Sequence, residues 1–188
     1  MNNKNEMPTS SVGVVYFQGI LDSNDLLAIK DDLKGNGFLL VSREMPSGFF
    51  AASESLYPHI QVFLSPDIVQ TICVGIATNV IYDGIKFFLC SLRRLVKTKS
   101  FRKMQSGNVI TDVTPAIHFN IGKMHAVLPM DIDDEKFKHF VDKAFETVNE
   151  QIITKETYFI YSEKTEETRH YTQYEFIQNI SGKVTEDN

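Results

Sequence analysis

Six cations stand within eleven residues, Arg93, Arg94, Lys97, Lys99, Arg102 and Lys103, with no acid among them. Phosphate binding needs such clustering, because neutralising several phosphates together releases their counterions. Phe101 adds a face on which a base could stack. The run is therefore a candidate contact with nucleic acid or an anionic membrane surface. Its plainer explanation is a helix C-terminus, whose cations complement the helix dipole before the chain enters a solvated loop.

His118 and His125 flank a hairpin signal at Asn120-Ile121-Gly122-Lys123. Setting Phe119 opposite Met124 and Ile117 opposite Ala126 builds one apolar face. The other face then carries His118 opposite His125 and Asn120 opposite Lys123. Directly opposed residues have Cβ atoms about 4.5–5.5 Å apart. Two imidazoles at that spacing are a candidate metal pair for a metal-dependent enzyme, or a pH-sensitive repulsive pair. A metal shell needs a third or fourth ligand, and none is adjacent in sequence. His59, His139, His170 or an acid from 131–135 would have to arrive through folding. A polar sheet face accounts for the pair without a metal.

The acids Asp131, Asp133, Asp134 and Glu135 resemble the start of a calcium loop. Lys136 stands where the sharp turn needs Gly, and no Glu ends the loop at Asp142. Acids at a helix N-terminus explain the cluster better. Cys73 and Cys90 lie about 25 Å apart along a continuous helix, too far for a disulfide. They read as free thiols of a reducing compartment. No glycine-rich nucleotide loop, Cys-x-x-Cys, His-Glu-x-x-His or Gly-x-Ser-x-Gly is present. No cofactor and no catalytic residue is therefore assigned, and the reading leans away from an enzyme.

The elements that must position these residues follow from periodicity. Val12 to Phe17 reads as a strand. A helix capped by Asp22 or Ser23 runs through Lys34 and stops at Gly35-Asn36-Gly37, and Phe38 to Ser42 is a second strand. A short strand at Phe49 to Ala52 and a strand at His59 to Leu64 follow. Ser65-Pro66-Asp67 signals a helix start. Residues 107–130 are β-rich, Asp133 to Asn149 is an amphipathic helix, and Thr157 to Tyr161 is a strand. Tyr171 to Ile180 reads either as a helix opened by Thr172 with Glu175, or as another strand.

The proline-free stretch from Asp67 to about Lys97 reads as one long helix, apolar over most of its circumference. Its polar stripe is Thr71, Gly75, Thr78, Asn79, Tyr82, Lys86, Arg93 and Lys97. Asn79, Asp83 and Lys86 argue against a transmembrane span, since each charge costs about 2.5–3.5 kcal/mol on insertion scales. Asp83 and Lys86, three apart, could pair. Either the helix is wholly buried in its own domain, or part of it, with Ile72, Ile76, Val80, Phe87 and Phe88 as candidates, docks on another chain. Gly75 and Ala77 would admit close helix approach.

Composition sets the frame. The chain has 188 residues, 43% hydrophobic and 23% charged, with fourteen Phe and no Trp. That is ordinary for a soluble globular protein and excludes collagenous, coiled-coil and disulfide-scaffold classes. The net charge of −5 conceals a basic middle: residues 66–112 carry 7 basic and 3 acidic side chains, residues 113–188 carry 8 and 14. Residues 1–11 read as a disordered tail without a secretory h-region, which favours the cytoplasm. Residues 12–183 read as one domain with possible subregions 12–104 and 105–183, and residues 184–188 as a frayed end. The expected fold is α+β: a mixed sheet of about five to seven strands, the long apolar helix at about 67–97, and two or three shorter helices. The expected function is a non-enzymatic intracellular protein–protein interaction or oligomerisation module. The alternatives are nucleic-acid or anionic-surface binding through 93–103 and a metal-dependent enzyme at His118 and His125.

Overall fold

The computed structural model describes residues 10–46, 59–73, 79–105, 109–150, 156–162, 167–173 and 175, without the side chains of 101–113, 149, 150 and 162. The fold is α+β, as the periodicity indicated: a seven-stranded mixed sheet with four helices. Strand β1 (Ser11–Phe17) leads through helix α1 (Ser23–Gly35) to β2 (Leu39–Met45). β1 and β2 pair in parallel, with Ser11 beside Leu39 and Phe17 beside Met45. Asp22 caps α1 reciprocally with Asp25: the Asp25 backbone N–H donates to Asp22 Oδ1 (2.9 Å), and the Asp22 N–H donates to Asp25 Oδ2 (2.8 Å). Gly37, at φ +81°, turns the chain into β2.

β3 (His59–Leu64) pairs antiparallel to β1 and parallel to β6 (Ala116–Ile121). β7 (Met124–Leu128), helix α4 (Asp134–Glu150), β8 (Thr157–Ser162) and β9 (Glu167–Thr172) complete the order β2-β1-β3-β6-β7-β8-β9. β4 (Phe101–Gln105) and β5 (Val109–Val113) form a separate two-stranded sheet. Of the stretch 171–180, read as helix or strand, residues 174 and 176–180 lie outside the described residues. Thr172 ends the strand, and its N–H donates to Glu175 Oε2 (2.8 Å) while the Glu175 N–H donates back to Thr172 Oγ1 (3.4 Å).

The stretch expected as one helix over 67–97 comprises helices α2 (Pro66–Cys73) and α3 (Asn79–Lys97). Gly75, Ile76, Ala77 and Thr78 lie outside the described residues, as do the expected strand at 49–52, most of the N-terminal tail and the C-terminal end. Among the described residues, no helix is long and apolar enough to cross a membrane. α3 touches both α1 and α4, and α2 touches α4. One face of the sheet meets this layer through Val14, Val62, Phe119, Ala126 and Phe159, all buried. Phe145 of α4 stands edge-on to Phe119, with ring centroids 6.0 Å apart.

α3 makes a close approach at Gly84. A Cβ on Gly84 of α3 would lie 2.8 Å from the Phe38 ring and 3.0 Å from Asn36 Cβ. Both atoms belong to the turn after α1 and have little room to give. Ala gains up to about 1 kcal/mol of helix propensity over Gly, yet overpacking typically costs about 1–3 kcal/mol. Gly84→Ala should therefore lower stability by about 1 kcal/mol net in a urea titration. A variant more stable than the parent would show that this contact is not tight.

Candidate functional site

α3 divides its polar residues. Asn79, Asp83, Arg94 and Lys97 are exposed, whereas Tyr82, Lys86 and Arg93, three members of the expected polar stripe, meet α4 and the connection before it. The Tyr82 ring stands edge-on to Phe145 at 5.0 Å. Lys86 pairs with Asp142, not with Asp83 as its spacing suggested. Arg93 is 1% exposed. Its Nε donates to the Pro129 carbonyl (3.1 Å), Nη1 to Asp134 Oδ1 (2.9 Å) and Nη2 to the carbonyls of Met130 (3.1 Å) and Ile132. The guanidinium also lies 4.6 Å from the Phe137 ring centre. Arg93 is thus no surface contact. It fastens the β7–α4 connection to α3, satisfying three carbonyls that have no place in a ladder.

The rest of the basic run divides. Arg94 donates from Nε to Asp134 Oδ2 (3.1 Å). This hydrogen bond, with the charges of Arg94 and Arg93, holds the Asp134 carboxyl below its ordinary range. Lys99 lies 2.7 Å from Asp25 and 3.8 Å from Asp22. Lys97 is exposed, and Arg102 and Lys103 lie on β4, where side chains are not described. Acids on either side therefore fold onto the basic middle: Asp22 and Asp25 at the start of α1 answer Lys99, and α4 answers Lys86, Arg93 and Arg94. The cluster at 131–135 opens α4. Asp133 accepts from the Lys136 N–H (2.8 Å), which is an N-cap rather than an ion loop.

The outer face of α3 sets two apolar side chains among the exposed charges of Asp83 and Arg94. Of the five candidate docking residues, Ile72 and Phe88 are fully buried, because their helical positions point at the sheet. Ile76 is not described. Val80 and Phe87 are 68% and 54% exposed. Seven residues apart, they stand above one another on one side of the helix. Beside Phe87 runs a groove of about 310 Å³ between α3 and α4, lined by Asp83, Lys86, Cys90, Arg94 and Lys138. Cys90 is buried, and that burial pushes its thiol pKa upward, so it rests as a neutral thiol.

The histidines share a face but not the expected register. Asn120 stands opposite His125, and His118 opposite Val127. The expected pairing puts β-branched Ile121 first in the turn. The observed one puts Gly122 there at φ +59°, a position that favours glycine. Parity is kept, so both imidazoles stay on the face opposite the helices, diagonal to each other. His125 is held at both ring nitrogens: Nδ1 lies 2.7 Å from Asn120 Oδ1, and Nε2 meets the Glu156 carboxylate. Its ring also stacks on Tyr158 at 5.2 Å. His118 instead meets His59, with ring centroids 5.3 Å apart. Burial first, then His59 and His125, lowers the His118 pKa to about 4. Among the described residues, no three His, Cys, Asp or Glu gather into a metal-holding group. His59, Glu156 and Tyr158 reach this face from distant strands. Only the alternation of β3 hinted at the first of them.

Compared with known protein families, curated proteins and solved structures, the chain matches none.

Proposed function

We propose that the protein is a non-enzymatic, cytoplasmic protein–protein interaction or oligomerisation module whose docking surface is the outer ridge of α3. The carrying observation is the exposed apolar pair on α3. Polar Tyr82, Lys86 and Arg93 are spent on α4, while Val80 and Phe87 face outward at 68% and 54% exposure. Exposed apolar residues, one of them beside a groove, are what a partner surface covers. The two free cysteines support a reducing compartment. Nucleic-acid binding has less support, because Arg93, Arg94 and Lys99 already hold the chain's own carboxylates.

A photo-crosslinking residue placed at Phe87 should yield one discrete adduct in cells. The same residue at Lys30, exposed on α1, should not. Equal labelling at both sites, or none at Phe87, would remove the ridge as the docking surface.

A further inference from the structure

A second surface, independent of the α3 ridge, lies at the edge of the sheet. β2 is an outer strand, and among the described residues no strand pairs with its far side. The backbone hydrogen bonds fix which of its groups β1 engages. The Leu39 N–H donates to the Ser10 carbonyl (3.1 Å), and the Met45 carbonyl accepts from the Gln18 N–H (2.9 Å). A parallel ladder engages alternate residues, so Leu39, Val41, Arg43 and Met45 turn their backbone groups to β1. Leu40, Ser42 and Glu44 turn theirs away. Three donors and three acceptors point outward along a strand with Leu39 56% and Val41 37% exposed. Both edges carry charge, Arg43 and Glu44 on β2 and Glu167, Arg169 and His170 on β9, but β2 alone adds exposed Leu39 and Val41 to it.

We infer that the β2 edge pairs with the β2 edge of a second copy, antiparallel about a two-fold axis at Ser42. The strand is self-complementary in that register. Ser42 meets Ser42, and Leu40 meets Glu44 twice, so all six outward backbone groups find partners. On the face opposite the helices, Leu39 meets Met45, which covers apolar surface, and Val41 meets the aliphatic stem of Arg43. A two-fold interface is the commonest closed arrangement, and this one joins the two sheets into one.

Cysteine crosslinking tests the register in the full chain, with the exposed Cys73 changed to Ser. Opposed hydrogen-bonded residues have Cα atoms about 5.5 Å apart, within disulfide range. Ser42→Cys should therefore oxidise to a covalent dimer in most chains. Glu44→Cys should give none, because its two copies lie about 14 Å apart along the strands. The Ser42→Cys dimer should persist when Val80→Glu and Phe87→Glu are added, which separates this interface from the α3 ridge. Light scattering of the unsubstituted protein should give twice the chain mass. Ser42→Pro, which removes only an outward N–H, should give a monomer. A monomeric unsubstituted protein at hundreds of micromolar, no Ser42→Cys crosslink, or equal crosslinking at both positions overturns the inference.

Discussion

Arg93→Ala is expected to destabilise the fold by about 3 kcal/mol, the largest effect of any single side chain considered. The guanidinium satisfies the carbonyls of Pro129, Met130 and Ile132 and one oxygen of Asp134. Hydrogen bonds to charged groups contribute about 1.5–3 kcal/mol each in net terms, and the contributions do not add fully. The truncation also opens a cavity against Phe137. Arg94 is the internal control. It shares Asp134, but its side chain is 63% exposed, and exposed ion pairs contribute little. Arg94→Ala should leave the denaturation midpoint nearly unchanged. Equal effects at the two positions in guanidinium titrations would refute the assignment of Arg93 to the interior. Arg93→Lys should recover only part of the loss, since an ammonium cannot reach four acceptors from one planar fork.

The second large effect is a loss of stability in mild acid. The His118 pKa falls from 6.5 to about 4 on folding. Between those values the unfolded chain binds a proton that the folded chain refuses. The stability this group contributes is present above about pH 6.5 and is lost as pH falls towards 4. The full shift corresponds to about 3 kcal/mol, and partial exposure of the site reduces that to about 2 kcal/mol. His59 and His125 add repulsion in the same direction. His118→Gln should flatten the dependence of unfolding free energy on pH across this window. An unchanged slope in the variant would place the acid sensitivity elsewhere.

Much of the framework was legible in the sequence. The β1-α1-β2 unit, β3, α4 and β8 follow from alternation, capping and helical spacing, which act locally. The acid run at 131–135 was rightly read as a helix start because Asp133 needs only Lys136 three residues on. The hairpin was half legible. Hydrophobic parity put His118 and His125 on one face, but the register depended on which residue takes a positive φ, and Gly122 decides that. The tilt of α3 was not legible. Periodicity separates two sides of a helix without saying which one meets a neighbouring helix. Asp142 and Phe145, about sixty residues on, turn Lys86 and Tyr82 of the polar stripe towards α4. The same limit hid Glu156 and Tyr158, which reach His125 across β7 and β8. Gly84 carried no local signal, because its constraint is the turn after α1.

The proposed docking surface rests on Val80 and Phe87, the two exposed apolar side chains of α3. Native mass spectrometry of the protein isolated from its own cells tests this most directly, comparing it with the Val80→Glu/Phe87→Glu variant. Both side chains are more than half exposed, so the variant should fold with an unchanged melting temperature. The unsubstituted protein should carry a stoichiometric partner mass that the variant lacks. The same mass for both proteins, with both folded, would contradict the ridge as a docking surface.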